Sequence, residues 1–104
     1  MSAPRDCLLT LVLPASLEDA VLEHLLAHPE WADGFMVAHQ DGVGAGASLA
    51  TAMEKVRGRA RLAVITAPMH SQQLAPLLDS LRQRFPTPAL SWWTTPLASY
   101  GRSA

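Results

Sequence analysis

The stretch DGVGAGASLATAMEKVRGRAR, residues 41–61, separates two strand-like segments by a connection that is long for a chain of 104 residues. Its first half carries glycines, and its second half carries helix-forming residues followed by arginines. Connections of this length in compact domains usually serve a function or lack regular structure. The connection therefore divides the chain into two halves, and each half has its own pattern of strands and helices.

The half before the connection predicts a strand, a helix and a second strand. The apolar run CLLTLVL, residues 7–13, is short and ends at Pro14, which favours a buried strand. Ser16 is the predicted N-cap of a helix in which apolar residues recur at helical spacing up to Pro29. The alternation in GFMVAHQ, residues 34–40, predicts the second strand.

The half after the connection repeats this order. ARLAVITA, residues 60–67, predicts a third strand that ends at Pro68, and ALSWWTT, residues 89–95, predicts a fourth. Leucines at helical spacing predict a second helix between them. Since a proline is tolerated only in the first turn, Pro76 requires this helix to begin near residues 72–73 or to bend there.

The predicted order β-α-β-β-α-β defines the fold class. Two helices on one face of a four-stranded antiparallel sheet form the α+β, ferredoxin-like arrangement. With 49% hydrophobic and 16% charged residues, residues 1–104 are predicted to form one globular domain. The polar tail, residues 97–104, is expected to be frayed unless a partner orders it.

Composition also limits the function. A net charge of -1 argues against a nucleic-acid partner, which would require a basic surplus. The apolar runs are too short to insert into a membrane, and a single cysteine, Cys7, cannot form an intramolecular disulfide. We therefore expect a cytoplasmic protein, with Cys7 as a buried apolar residue.

The glycines of the connection do not form a nucleotide-binding motif. A phosphate-binding loop places its lysine directly after the last glycine, whereas Lys55 lies well downstream of Gly42, Gly44 and Gly46. These glycines are better explained as a mobile hinge. Residues 48–56 then carry apolar side chains at helical spacing, which predicts a short amphipathic arm.

Arginines alternate where the chain re-enters the sheet, at Arg57, Arg59 and Arg61. Two interpretations stay open. They form either a solvated basic edge that deters strand pairing or a contact for an anion.

The four histidines offer weak metal-binding hypotheses. His24 and His28 are four residues apart on the first predicted helix, so their rings can approach each other as metal-binding pairs do, or lie at a solvated helix end. His39 ends the second predicted strand and His70 precedes the second helix, so the two could meet across a subunit interface. The sequence has no zinc or copper-chaperone motif.

No nucleophile motif is present, so we expect a protein without enzymatic activity. Trp92 and Trp93 should point to opposite faces of the fourth strand. One of them is expected to enter the core, and the other to mark a subunit interface.

Taken together, these segments resemble P-II-like signalling proteins, and in particular a short proteobacterial family of unknown function within that group. The resemblance rests on the long connection and its re-entry into the sheet, and it covers Cys7 to about Leu97. The residues that match the family's loop pattern are Ser48, Leu49, Glu54, Lys55, Val56, Gly58 and Arg59. The segment APMHSQQLAPLLDSLRQRFPTPAL, residues 67–90, is similar to the second half of the related CutA proteins.

The resemblance implies a homotrimer whose sheets face a central axis and whose residues 41–59 project as a T-loop. It also implies partner or effector contacts, with a membrane transporter or a heavy-metal efflux system as the partner and a role in metal resistance. The residues expected to make these contacts are Gly42, Gly44, Gly46, Ser48, Leu49, Glu54, Lys55, Arg57, Gly58 and Arg59.

The resemblance leaves the cofactor open between an adenine nucleotide and a divalent metal, and neither has a complete motif. P-II proteins use a glycine-rich loop after the third strand, where this chain has TAPMHSQQ, residues 66–73, without a glycine. The alternative function is a CutA-like sensor of copper, zinc or a small ligand. It would use His39 and His70 or the pair of His24 and His28.

Overall fold

The computed structural model describes residues 4–43 and 59–104. The element order confirms the predicted βαββαβ fold: β1 (Cys7–Pro14), a 3-10 helix (Ala15–Leu17), α1 (Glu18–Leu26), β2 (Met36–Gly42), β3 (Ala60–Met69), a second 3-10 helix (Ser71–Gln73), α2 (Leu74–Arg84) and β4 (Ser91–Pro96). The strands form one antiparallel sheet in the order β2-β3-β1-β4. This order is that of the ferredoxin-like arrangement.

The core lies between one face of the sheet and the two helices. Residues of β1 and β3 that face each other in the antiparallel register point to the same side, as Leu11 does with Ile65. On this side the two central strands contribute Cys7, Leu9, Leu11, Leu13, Ala63, Ile65, Ala67 and Met69, all buried. The helices cover them with Val21 and Leu25 of α1 and Leu77, Leu78 and Leu81 of α2.

Cys7 is part of this core, as predicted for a buried apolar residue. Burial raises the pKa of the Cys7 thiol, and the nearby Asp6 carboxylate raises it further. A thiol that stays protonated is a poor nucleophile, so Cys7 contributes through packing.

The prediction that Ser16 caps α1 is wrong. The chain leaves Pro14 in a 3-10 turn, so Ser16 lies inside that turn and the N-cap of α1 is Leu17, which makes no side-chain capping bond. The helix also ends at Leu26, so that His28 lies beyond it. Acidic residues still occupy the first turn, where the helix dipole favours them.

Strand β3 does not end at Pro68, as predicted, but continues to Met69. Pro68 is paired with Leu8 of β1, while β2 accompanies β3 only as far as Thr66. At Pro68 the strand therefore has a neighbour on one side alone, and a missing amide is tolerated on the open side.

The start of α2 agrees with the prediction. A 3-10 turn precedes the helix, Gln73 is the N-cap and the regular helix begins at Leu74. Pro76 thus lies in the first turn, where its missing amide costs no helical hydrogen bond.

Strands β2 and β4 both begin later than the sequence predicts. In front of β4, Thr87 accepts hydrogen bonds from the amides of Ala89 (3.1 Å to Oγ1) and Leu90 (3.3 Å to the carbonyl). This turn removes the two residues from the strand.

The prediction that one tryptophan of β4 enters the core is also wrong. The register places Trp92 beside Leu11 on the helix-covered face and Trp93 beside Thr10 on the other face. However, Trp92 is 39% exposed and Trp93 is 51% exposed. Because β4 is an edge strand, α2 covers Trp92 only in part.

Candidate functional site

The base of the long connection is the first candidate site. Strands β2 and β3 stay paired up to Gly42 and Ala60, so the chain leaves and re-enters the sheet at neighbouring positions. Of the predicted contact residues, the structure describes Gly42 and Arg59. The others lie outside the described residues, and their role stays a prediction: Gly44, Gly46, Ser48, Leu49, Glu54, Lys55, Arg57 and Gly58.

An ion pair joins the two strands at this base. Arg59 Nη1 lies 3.5 Å from Asp41 Oδ2, and both side chains are about half exposed. Exposed pairs of this kind contribute at most about 1 kcal/mol. The pair therefore contributes little to stability, and it lies where the connection leaves the sheet.

His39 lies next to this base and is tied to the start of α1. Its Nε2 contacts Glu18 Oε1, in a pair whose histidine side chain is 58% exposed. A cleft of about 180 Å³ opens beside it, lined by residues including Ala15, Asp41 and Arg61. The base therefore combines cationic and anionic groups that any ligand or partner at the loop would meet.

The structure does not bring His39 and His70 together within one chain. His39 faces Ala63 across the sheet, while His70 follows the last residue of β3. At about 3.3 Å per residue, seven positions along a strand correspond to roughly 23 Å. Within residues 4–43 and 59–104, no three potential metal ligands lie together. A shared site between subunits stays a prediction.

His24 and His28 do lie together, and their ring centroids are 5.4 Å apart. His24 Nε2 is 2.8 Å from Ser80 Oγ of α2. His28 stacks on Trp31 with centroids 4.0 Å apart, and its Nδ1 is 3.4 Å from Glu30 Oε2. The pair therefore belongs to an ordered cluster rather than to a solvated helix end.

Asp6 joins the segments before β1 and after β4 to the 3-10 helix that precedes α2, a role that the sequence pattern did not reveal. Its carboxylate accepts hydrogen bonds from the amide and the hydroxyl of Ser71, each at 2.8 Å. Its carbonyl accepts one from the amide of Leu97 at 3.0 Å. The bonds from Ser71 hold the pKa of the Asp6 carboxyl below its usual value.

A second cluster holds the tail, which was expected to be frayed. Arg102 Nη2 lies 3.8 Å from Asp33 Oδ2, and Arg5 contacts the same carboxylate. The Arg5 guanidinium also lies over the ring of Tyr100, 4.6 Å from its centroid. Within one chain, the tail is thus held against the N-terminal segment and the loop after α1.

The sheet face opposite the helices is uncharged and open. Thr10 and Thr66 face each other at its centre, beside Trp93. The outward residues of the four strands include Leu8, Thr10, Val12, Pro14, Met36, Ala38, Gln40, Leu62, Val64, Thr66, Pro68, Ser91, Trp93 and Thr95. We call this surface the open sheet face. An uncharged face of this extent on a single chain is typical of an interaction surface.

Solved structures of a PII-like protein and of a CutA1 protein share this fold. CPII, a nitrogen regulatory PII-like protein from Thiomonas intermedia K12, bound to ADP, AMP and bicarbonate, is similar with a TM-score of 0.68 and 17% identity, over 95% of this chain and 96% of that chain. CutA1 from Pyrococcus horikoshii is similar with a TM-score of 0.69 and 7% identity, over 93% of this chain and 88% of that one.

Residues 3–104 match the family described as "Protein of unknown function (DUF3240)", and the chain belongs to this family. A DUF3240 family protein from Shewanella baltica OS155 is similar in structure, with a TM-score of 0.67 and 20% identity over 100% of both chains. Among curated proteins, none matches the chain. The described part of the chain contains no helix long and apolar enough to cross a membrane.

Proposed function

We propose that this protein is a P-II-like regulator without enzymatic activity. It acts as a homotrimer, and residues 41–59 contact a partner, such as a membrane transporter or a metal efflux system. The observation that carries the proposal is the geometry of the connection. Its two ends, Gly42 and Ala60, are paired with each other in the sheet, and this supports the expectation that the residues between them form an appendage.

The open sheet face supports the assembly. Burying such a face against other copies of the chain would remove apolar surface from water at about 25 cal/mol per Å². No charge on this face would have to be desolvated. The sheets would then lie inside the assembly, with α1 and α2 outside and the appendage free to reach a partner.

An adenine nucleotide is the effector that the neighbours suggest, because CPII is bound to ADP and AMP in its structures. The 3-10 helix that follows β3 does not fit a phosphate. The amide of Ser71, its first residue, is bonded to the Asp6 carboxylate, and that negative charge would repel an anion there. We therefore expect an effector of different chemistry at this position.

Deletion of residues 44–52 tests the role of the appendage. We expect the variant to keep the far-ultraviolet circular dichroism and the assembly of the intact chain, because the deleted segment lies between Gly42 and Ala60, which are paired in the sheet. It should no longer cross-link to a transporter in detergent-solubilised membranes of the source organism. Unfolding on deletion would show that the segment is part of the core, and undiminished cross-linking would place the partner contact elsewhere.

A further inference from the structure

We propose that His24 and His28 chelate one late first-row divalent cation, with copper(II) bound most tightly. This site goes beyond the regulatory function and does not depend on it. Its two ligands come from α1 and from the segment that follows α1, and their neighbours come from both helices.

The separation of the two rings permits a shared ion. A cation about 2.0 Å from an imidazole nitrogen lies roughly 3 Å from the centre of that ring. Two rings can therefore hold one ion when their centroids are up to about 6 Å apart. The centroids of His24 and His28 are 5.4 Å apart, with an angle of 55° between the ring planes.

One nitrogen of each ring has a polar neighbour, and the other nitrogen is available. The hydroxyl of Ser80 is hydrogen-bonded to Nε2 of His24, and the carboxylate of Glu30 lies beside Nδ1 of His28. Among residues 4–43 and 59–104, nothing bonds to Nδ1 of His24 or to Nε2 of His28. Metal-binding histidines typically hold their second nitrogen in this way, by a hydroxyl, a carboxylate or a carbonyl.

Aromatic packing orients the pair. His28 is stacked on Trp31 with an interplanar angle of 13°, and the Phe85 ring meets His24 edge-on at 86°. The His28 side chain is 39% exposed, which gives an ion access to the site.

The donor set selects the class of metal. Two imidazoles favour copper, nickel and zinc over magnesium, and copper(II) stands highest in the affinity order. Glu23, on the same face of α1, and Glu30 add negative charge, whereas Arg84 opposes the cation. With two protein ligands the remaining coordination positions take water, so the site would bind and release its ion rather than bury it.

Titration of the whole protein with copper(II), followed by calorimetry and pulsed electron paramagnetic resonance, tests the site. We expect one copper per chain with two coordinated imidazoles. His28→Gln should reduce the number of coordinated imidazoles to one and weaken copper binding at least tenfold. Ser80→Ala and Glu30→Gln should weaken copper binding about ten- to a hundredfold. Magnesium should not compete.

The two other histidines provide matched controls, because the chain has four in all. His39→Gln and His70→Gln should bind copper as the unchanged protein does. Undiminished binding in His28→Gln, loss of binding in either control, or no binding by the unchanged protein would overturn the proposal. His28 is partly exposed, so its variant should stay folded, and far-ultraviolet circular dichroism can verify this.

Discussion

At the scale of single residues, Asp6 shows how one side chain can join distant parts of the chain. It lies just before β1, yet its carboxylate binds Ser71 in the 3-10 helix before α2 and its carbonyl binds Leu97 after β4. No local pattern predicts this role, because Asp6 and Ser71 are 65 positions apart. The sequence alone marks Asp6 as an ordinary charged residue before a strand.

The lowered pKa of Asp6 makes its contribution to stability dependent on pH. The folded state binds this proton less tightly than the unfolded state, whose carboxyl titrates near 3.8. The contribution is therefore complete above pH 3.8 and is lost as the pH falls through the lower pKa of the folded state. Asp6→Asn should lower the melting temperature at pH 7.

The difference in melting temperature between Asp6→Asn and the unchanged protein should shrink below pH 3.8. Asp19→Asn, which removes an exposed carboxylate from the first turn of α1, serves as the control and should have a smaller effect at pH 7. A difference for Asp6→Asn that is the same at pH 7 and at pH 3 would contradict this role for the ionised carboxylate.

His24 makes stability depend on pH in the same direction as Asp6 does, but closer to neutral pH. Its pKa in the folded state lies below the ordinary value of 6.5, chiefly because of burial, so the unfolded chain binds the proton more tightly. The free energy of unfolding should therefore decrease as the pH falls below 6.5. Urea unfolding at pH 7 and at pH 5 should show a smaller decrease for His24→Gln than for the unchanged protein. His70→Gln should keep the original dependence, and an unchanged dependence in His24→Gln would refute this assignment.

At the scale of elements, periodicity predicted all four strands and both helices, because each must bury an apolar face and its spacing shows which face that is. The ends were less predictable. Ser16 lies within a 3-10 turn, and Pro68 is tolerated because the pairing of β2 with β3 stops at Thr66. Both outcomes depend on neighbouring strands and turns, which a local pattern does not contain.

The buried side chains of α2 should account for most of the stability that this helix contributes. Leu77 has no exposed surface, whereas Leu26, at the end of α1, is 65% exposed. Leu77→Ala should lower the free energy of unfolding by about 2–5 kcal/mol, since it removes buried methyl groups and leaves a cavity. Leu26→Ala should change it by less than about 0.5 kcal/mol. Equal losses in urea titrations at one protein concentration would contradict this packing.

At the scale of the whole molecule, the two faces of the sheet differ in what covers them. Two helices bury one face, while the open sheet face has no cover within residues 4–43 and 59–104. The helical spacing predicted that the rings of His24 and His28 can approach each other. The contacts of this pair with other segments and the clusters around Asp6 and Asp33 could not be predicted from the pattern. Those sites arise where segments distant in sequence meet.

The assembly also predicts how charge on the open sheet face should act. Trp93→Glu would place a carboxylate on that face, where burial against another copy would be costly. We expect this variant to be monomeric and folded. Leu26→Glu, which places the same charge on an exposed apolar residue of the helix layer, should assemble as the unchanged protein does.

The most direct test of the central claim is the molar mass of the unchanged protein in solution, measured by size-exclusion chromatography with light scattering at micromolar concentration. The proposed homotrimer should have three times the 11.2 kDa mass of one chain. A mass of 11.2 kDa would show that the open sheet face is left uncovered in solution, and it would contradict the account.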